Sequence, residues 1–260
     1  MGLLRIHDDL ALGKLAQIRG DALRRLRARA DRVGDLLTIR DKRGRDFRAR
    51  IVTLTRDEAE AFIFESFEAQ VEPPVEIHLL QALPKKERFE WIIQKATELG
   101  VYSIVPFESD HSATLEERDA SQKKSHRWQG IATKAAQQCR RARIPLLYPV
   151  LPFDKALESG RRSDLCLILW EKESSQSMRP VLIELRGRVR SLTVVVGPEG
   201  GFSPRELDWA RHEGFVSVGL GKRILRTETA AIAAIAILQY ELGDLGGRMR
   251  RAGVRRQKSE

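Results

Sequence analysis

The chain has 260 residues, 42% hydrophobic and 32% charged, which suffices for one large domain or two small ones with a real core and a soluble surface. Its formal net charge of +10 and pI near 9.9 suit a polyanionic partner such as RNA, although DNA or an anionic membrane surface meets the same charge. No apolar run approaches the ~20 residues of a membrane span, and Cys139 and Cys166 form no C-x-x-C pair, so nothing points to a zinc site, another metal or a disulfide framework. Both cysteines are read as buried thiols. Met1–Ile6 offers no signal-peptide core, and the expectation is a reduced, cytoplasmic, soluble protein with no membrane partner.

The first segment runs to about Glu72. Asp21 to Arg32 reads as a short arginine-rich helix with Leu23, Leu26 and Ala30 on one side. Leu36–Ile39 and Phe47–Ile51 read as strands around the turn Asp41-Lys42-Arg43-Gly44, and Glu60 to Phe67 as a third. Small strands at this spacing suggest a compact β-barrel. Between Arg19 and Arg50 the basic residues outnumber the acidic ones, and Arg24, Arg25 and Arg27 are the candidate RNA contacts.

Val71-Glu72-Pro73-Pro74-Val75 is the expected linker, since consecutive prolines interrupt both helix and ladder. A strand over Glu76–Leu83 follows, then a helix with Phe89, Ile92, Ile93, Ala96 and Leu99 on one face and Gly100 at its end. Tyr102 to Phe107 is the next strand. A helix over Lys123–Arg143 sets Trp128, Ile131, Ala135 and Cys139 near one stripe. Leu165–Leu169 is a further strand with Trp170-Glu171 at its C-terminal end, while Lys172 to Arg190 is polar and yields no element.

Ser191 to Leu242 is the most structured stretch of the pattern. Leu192–Val196 is short, apolar and β-branched, hence a buried strand. Gly197-Pro198-Glu199-Gly200-Gly201 is a turn that leaves backbone bare for a ligand, with Gly200 and Gly221 the two positions where a side chain would obstruct it. Ser203-Pro204-Arg205-Glu206 combines an N-cap, a proline at the first helical position and the glutamate of a capping box; the helix buries Leu207 and Ala210 and stops at Gly214. Phe215–Leu220 is a strand, Gly221 a turn, and Ala230 to about Leu242 an alanine-isoleucine helix. Neither G-x-x-x-x-G-K-[ST] nor G-x-G-x-x-G occurs, so both phosphate-cradle fingerprints are absent. Both glycine loops leave C-terminal strand ends, where open α/β sheets place ligands; on shape alone they are equally well simple turns.

The literal residues decide between these readings. Val196 to Ser203 followed by Leu220 to Ala230 resembles the RsmE family, S-adenosylmethionine-dependent methyltransferases acting on a uridine of small-subunit ribosomal RNA. The resemblance extends upstream through Ala82-Leu83-Pro84-Lys85-Lys86, Gln94 to Val101 and Ala135 to Arg140, ending in Ile144-Pro145. It implies an α/β protein: a PUA-like RNA-binding β-barrel over residues 1–72, a SPOUT-type trefoil-knotted methyltransferase domain over 73–245, and a basic tail over 246–260. It further implies N3 methylation of a uridine in 16S ribosomal RNA, a homodimer, and ribosomal RNA or the small ribosomal subunit as partner. The alternatives are a SPOUT methyltransferase for another RNA position, such as a ribose hydroxyl, and a non-catalytic RNA-binding assembly factor. The first segment departs from the family: Asp21-Ala22 replaces the usual histidines, and Ala28 and Ala30 stand where bulkier residues are common; in the second domain, the loop after Phe107, Ser109-Asp110-His111-Ser112, holds a histidine where an arginine is typical. His111 is either an RNA contact in that arginine's place or an exposed loop histidine.

The resemblance assigns the cofactor, S-adenosyl-L-methionine, to the two glycine loops. The binding residues expected are Gly197, Pro198, Glu199, Gly200, Gly201, Gly221 and Thr229, with Leu169, Leu220, Ile224 and Leu225 as apolar walls. A uridine ring nitrogen between two carbonyls is protonated at neutral pH, so the chemistry needs a base or stabilisation of charge spreading to the oxygens. Arg223 and Arg226 are the candidate charge stabilisers and Glu228 the candidate base, or alternatively only a cap of the following helix. Glu199 complements a helix dipole. Arg140 matches a family arginine and is a further RNA-binding candidate.

Overall fold

The computed structural model describes residues 4–28, 32–67, 72–84, 88–114, 116 and 127–246. Ala30, Val71, Lys85, Lys86, the helix start at Lys123 and the basic tail beyond Gly246 lie outside the described residues. In chain order the elements are β1 (Leu4–Arg5), β2 (Leu15–Ile18), α1 (Gly20–Ala28), β3 (Leu36–Arg40), β4 (Asp46–Leu54), β5 (Ala59–Phe67), β6 (Glu76–Ala82), α2 (Arg88–Glu98), β7 (Ser103–Glu108) and α3 (Trp128–Gln138). They continue with β8 (Leu146–Leu147), β9 (Leu151–Pro152), α4 (Phe153–Gly160), β10 (Leu165–Leu169), α5 (Met178–Leu185), β11 (Ser191–Val196), α6 (Pro204–His212), β12 (Val216–Val218) and α7 (Thr227–Glu241).

The first five strands form one curled sheet in the order β1-β3-β4-β5-β2. Among the described residues no ladder joins β1 to β2, so the sheet is a half-barrel, not a closed ring. Alternation along β4 and β5 turns Phe47, Ala49, Ile51, Ala59, Ala61 and Ile63 inward. They pack against Leu23 and Leu26 of α1 in a core separate from the second sheet. Phe64 and Val52 fall at register shifts of the β4–β5 ladder and have no partner across it, as expected of bulges.

Charged groups at the joint between the sheets tie them together. Arg48 is fully buried; it donates to Glu65 at 2.7 Å and to the carbonyl of Arg141, and burial pushes its guanidinium below the ordinary arginine value. Arg141 donates to the carbonyls of Thr97 and Val101 at 2.8 and 3.0 Å and to Glu72 at 2.8 Å, and Glu72 also accepts from the Arg143 amide. The expected linker is therefore anchored, with Glu72 held in a buried ion pair at 6% side-chain exposure.

The second sheet, β12-β10-β11-β6-β7-β8 with β9 also on β7, is parallel in every ladder. Its strands are buried on both faces, as their continuous apolar runs predict. Leu167, Leu192, Val194 and Val196 face α2, α3, α5 and α7, whereas Cys166, Ile168 and Val195 face α4 and α6. Helices on both faces of a parallel sheet make a three-layer α/β unit.

Several expected boundaries shift for visible reasons. α3 ends at Gln138 because Arg140 adopts a left-handed φ of 59°, the terminating conformation usually given to glycine, so the run to Arg143 is not helical. Cys139 at that end is half-buried, not buried; Cys166 is buried, and burial raises both thiols above the usual value. α7 begins at Thr227, ahead of Ala230, since Arg226 in extended backbone is already its cap. The polar stretch Lys172–Arg190 contains α5, which buries Met178 and Leu182.

Candidate active site

The capping box read from Ser203-Pro204-Arg205-Glu206 is present in full: the Ser203 amide donates to Glu206 at 2.9 Å and the Glu206 amide to the Ser203 hydroxyl at 3.3 Å. It fixes where α6 starts and hence how long the preceding loop is. That loop, Gly197–Phe202, leaves the C-terminal end of β11. Trp170-Glu171 leaves β10 and Leu220–Arg226 follows β12. β11, β10 and β12 are neighbours in the sheet, so the three loops meet at one edge and enclose a cavity of about 400 Å³. This is the strand-end position where parallel sheets bind ligands.

Two polar contacts join the loops from beneath. Gln81 on β6 donates to the Thr227 hydroxyl at 3.0 Å, and Thr227 donates to the Gly197 carbonyl at 2.6 Å. Arg88, at the start of α2, donates to Glu199 at 2.8 Å and lies 3.7 Å from Glu228. A third clamp comes from the loop after β7. His111 donates from Nδ1 to the Gly201 carbonyl at 3.1 Å, and Asp110 accepts from Ser203 at 2.6 Å.

Most residues expected from the sequence gather here. Leu169, Gly197, Pro198, Glu199, Gly200, Gly201, Leu220, Gly221, Ile224 and Leu225 line the cavity, as do Arg223 and Arg226. Both arginines are exposed and have no ion-pair partner among the described residues, which leaves their guanidinium donors for a ligand. Glu228 and Thr229 are not among the lining residues. Glu228 is 6% exposed in the first turn of α7, with Oε1 toward Arg88 and Oε2 buried without a hydrogen-bond partner; Thr229 is exposed. Gly200 differs from its sequence reading. A Cβ there would lie 2.8 Å from the His111 Cβ, so the glycine admits the β7 loop.

Trp170, Glu171, Phe202, Thr227 and Ala230 line the cavity without having been singled out, and Arg88 and Gln81 support it. Trp170-Glu171 was legible as a strand end, but nothing local in the sequence marks Arg88, whose partner Glu199 is 111 positions away. The remaining RNA candidates lie elsewhere. Arg24 and Arg25 both pair with Asp21, at 3.3 and 2.8 Å, Arg27 donates to the Thr55 carbonyl, and Arg140 is exposed at the end of α3. Among the described residues no His/Cys/Asp/Glu group is arranged to hold a metal ion, and no helix is long and apolar enough to cross a membrane.

Known proteins resemble this chain in sequence and fold. The family described as an RNA methyltransferase domain matches residues 71–239. The chain is 31% identical to the ribosomal RNA small subunit methyltransferase E of Bacillus subtilis, over 82% of this chain and 85% of that protein. It is 38% identical to the Aquifex aeolicus protein of the same name, over 68% and 73%. Among solved structures, the ribosomal RNA small subunit methyltransferase E of Neisseria gonorrhoeae bound to S-adenosyl methionine aligns with a TM-score of 0.64 at 32% identity, covering 94% of this chain and 99% of that one. A putative methyltransferase from Legionella pneumophila in complex with the same cofactor gives 0.65 at 31%, covering 94% and 98%. A glycine-loop cavity at the ends of β10, β11 and β12, a matching domain over most of the parallel-sheet unit, and relatives above 30% identity along nearly the whole chain lead to one conclusion: the protein belongs to the family of small-subunit ribosomal RNA methyltransferases E.

Proposed function

We propose that this protein transfers a methyl group from S-adenosylmethionine to N3 of a uridine in 16S ribosomal RNA, in the cytoplasm. Residues 73–245 act as a SPOUT-type knotted catalytic unit and residues 1–72 as an RNA-binding unit. The observation that supports this best is the convergence of three loops on one cavity. Its volume of about 400 Å³ lies within the usual span for a small ligand, roughly 300–1,000 Å³. Leu169, Leu220 and Leu225 offer apolar contact, the glycine loop offers bare backbone for hydrogen bonding, and Glu171 offers negative charge to a cationic ligand. These groups fit an adenosyl sulfonium.

When bound, S-adenosylmethionine supplies an electrophilic methyl group; the chain's own residues orient the uracil and manage its charge. The N3 proton must leave for nitrogen to become nucleophilic, and the resulting negative charge spreads over the two flanking carbonyl oxygens. Arg223 and Arg226 line the cavity and are exposed, and in this reading they donate to those oxygens, where preorganised donors lower a barrier most. Glu228, the candidate base, lies outside the cavity lining in the first turn of α7, 3.7 Å from Arg88, where the helix N-terminus favours a carboxylate, so we favour its alternative reading as the cap of that helix. A second copy packs on the stripe Ala230, Ala233, Ile237 and Tyr240, which runs along α7 from the cavity; Ile237 and Tyr240 are 39% and 62% exposed.

The reading is tested by incubating the protein with radiolabelled S-adenosylmethionine and either small ribosomal subunits lacking the modification or naked 16S RNA. Label in the RNA that requires the protein supports it. Cofactor binding with no label in either substrate identifies a non-catalytic assembly factor, and sedimentation of a fully active monomer removes the dimer.

A further inference from the structure

The outer face of the half-barrel is covered on one side only. Leu36 on β3 packs against the core of the parallel-sheet unit, Thr38 donates to the Ala142 carbonyl, and Arg48 is sealed at the joint. One ladder row continues outward from Leu36: Leu36 pairs with Arg50, Arg50 with Phe62, and Phe62 with Leu15. Past Leu36 this row lies in solvent. Phe62 is 42% exposed, the bulged Phe64 36% and Leu15 52%. Two phenylalanines close together on β5 with bare faces are an unusual cost on a soluble surface unless something covers them.

The charges around the row indicate what does. The carboxylates near it are mostly paired with cations: Glu65 with Arg48 and Glu72 with Arg141, while Glu60 accepts only from the Thr53 hydroxyl and keeps its charge. Lys14, Arg50 and Arg140 are exposed and have no side-chain partner among the described residues. Arg50 sits directly across from Phe62, Lys14 precedes Leu15 in the chain, and Arg140 precedes the residue whose carbonyl receives Arg48. Aromatic faces flanked by unneutralised cations fit stacked bases and their phosphates, the arrangement by which proteins hold unpaired strands.

We infer that the open face of the half-barrel, centred on Phe62 and Phe64 with Arg50 directly across from Phe62, binds a single-stranded segment of the RNA substrate. The inference rests on the reading of the chain as an RNA methyltransferase and adds to it a docking surface distinct from α1 and from the cofactor cavity. Phe62 and Phe64 hold the strand by stacking and Arg50 by charge.

The test uses the full chain and a labelled single-stranded RNA oligonucleotide carrying 2-aminopurine, followed by anisotropy and by the base fluorescence. Stacking on an aromatic contributes enough that F62A or F64A should each weaken binding roughly 5- to 100-fold. F62Y should retain affinity, F62L should lose it together with the 2-aminopurine signal, and R50A should flatten the salt dependence by a slope of about 0.7, the value for one contact to a single strand. Because both rings are on the surface, thermal unfolding and cofactor binding should stay at wild-type values. If F62A/F64A binds the strand as the wild type does, the platform is overturned while the methylation reading stands. Full retention of binding by F62L also overturns stacking, and a change in oligomeric state with unchanged RNA affinity assigns the face to a second copy instead. A wild type that binds cofactor but no RNA, of either strandedness, overturns both readings.

Discussion

Gly219 tests how tightly the cofactor-side loops are packed. It follows β12, its amide donates to the Gln176 carbonyl at 2.9 Å, and it bridges to Ser177. A Cβ at this position would lie 2.5 Å from the Glu173 carbonyl oxygen, a backbone atom that no rotamer change can move. Gly219→Ala must therefore push the Glu173–Ser177 segment off β12. Overpacking of this kind costs about 1–3 kcal/mol and the displaced amide hydrogen bond about 1 kcal/mol, so roughly 2–4 kcal/mol in all. For a chain of this size that lowers Tm by roughly 4–16 °C. Leu220 and Gly221 line the cavity immediately afterwards, so cofactor affinity should fall as well. Differential scanning fluorimetry and calorimetry with S-adenosylmethionine measure the two quantities. A Tm within about 1 °C of wild type, with unchanged affinity, would refute the close approach.

On the proposed role of Arg226 as a donor acting mainly in the transition state, Arg226→Ala should lower single-turnover transfer by ~10²–10³ with cofactor affinity nearly unchanged; a parallel loss in both would mark a structural role instead. Glu72→Ala strands the buried Arg141 guanidinium and should cost about 3–5 kcal/mol in a denaturant titration, whereas a shift under about 1 kcal/mol would mean the joint is solvated. The Asp164 carboxylate accepts from the Arg190 and Ser191 amides at 2.8 and 3.0 Å, which holds it below the usual aspartate value of 3.8. A depressed acid adds stability above its unfolded value and loses it as pH falls through the folded one, so Asp164→Asn should flatten the fall of Tm below about pH 4; an unchanged acid limb would contradict this.

Local pattern sufficed wherever local physics decided. The capping box at Ser203-Pro204-Glu206 and the strand Leu165–Leu169 were read at their true positions because a cap and an apolar β-branched run act within a few residues. The two glycine loops were likewise legible, and twelve of the fourteen cofactor and catalytic candidates line one cavity. What escaped depends on partners distant in the chain. Arg88 meets Glu199 across 111 positions, Arg48 meets Arg141 across 93, and Gln81 meets Thr227 across 146. β1, with two residues, is too short to show a period, and it exists because β3 pairs with it. α5 was hidden by its polar surroundings, since only Met178 and Leu182 of its eight residues are buried.

The central claim is a methyl group on N3 of one uridine, placed there through the cavity between β10, β11 and β12. The most direct measurement is nucleoside mass spectrometry of 16S ribosomal RNA from a strain lacking this gene, complemented by the wild type or by Arg226→Ala. The account predicts that 3-methyluridine disappears in the deletion, returns with the wild type and stays depressed with Arg226→Ala. Unchanged 3-methyluridine in the deletion, or loss of a ribose-methylated nucleoside in its place, would contradict it.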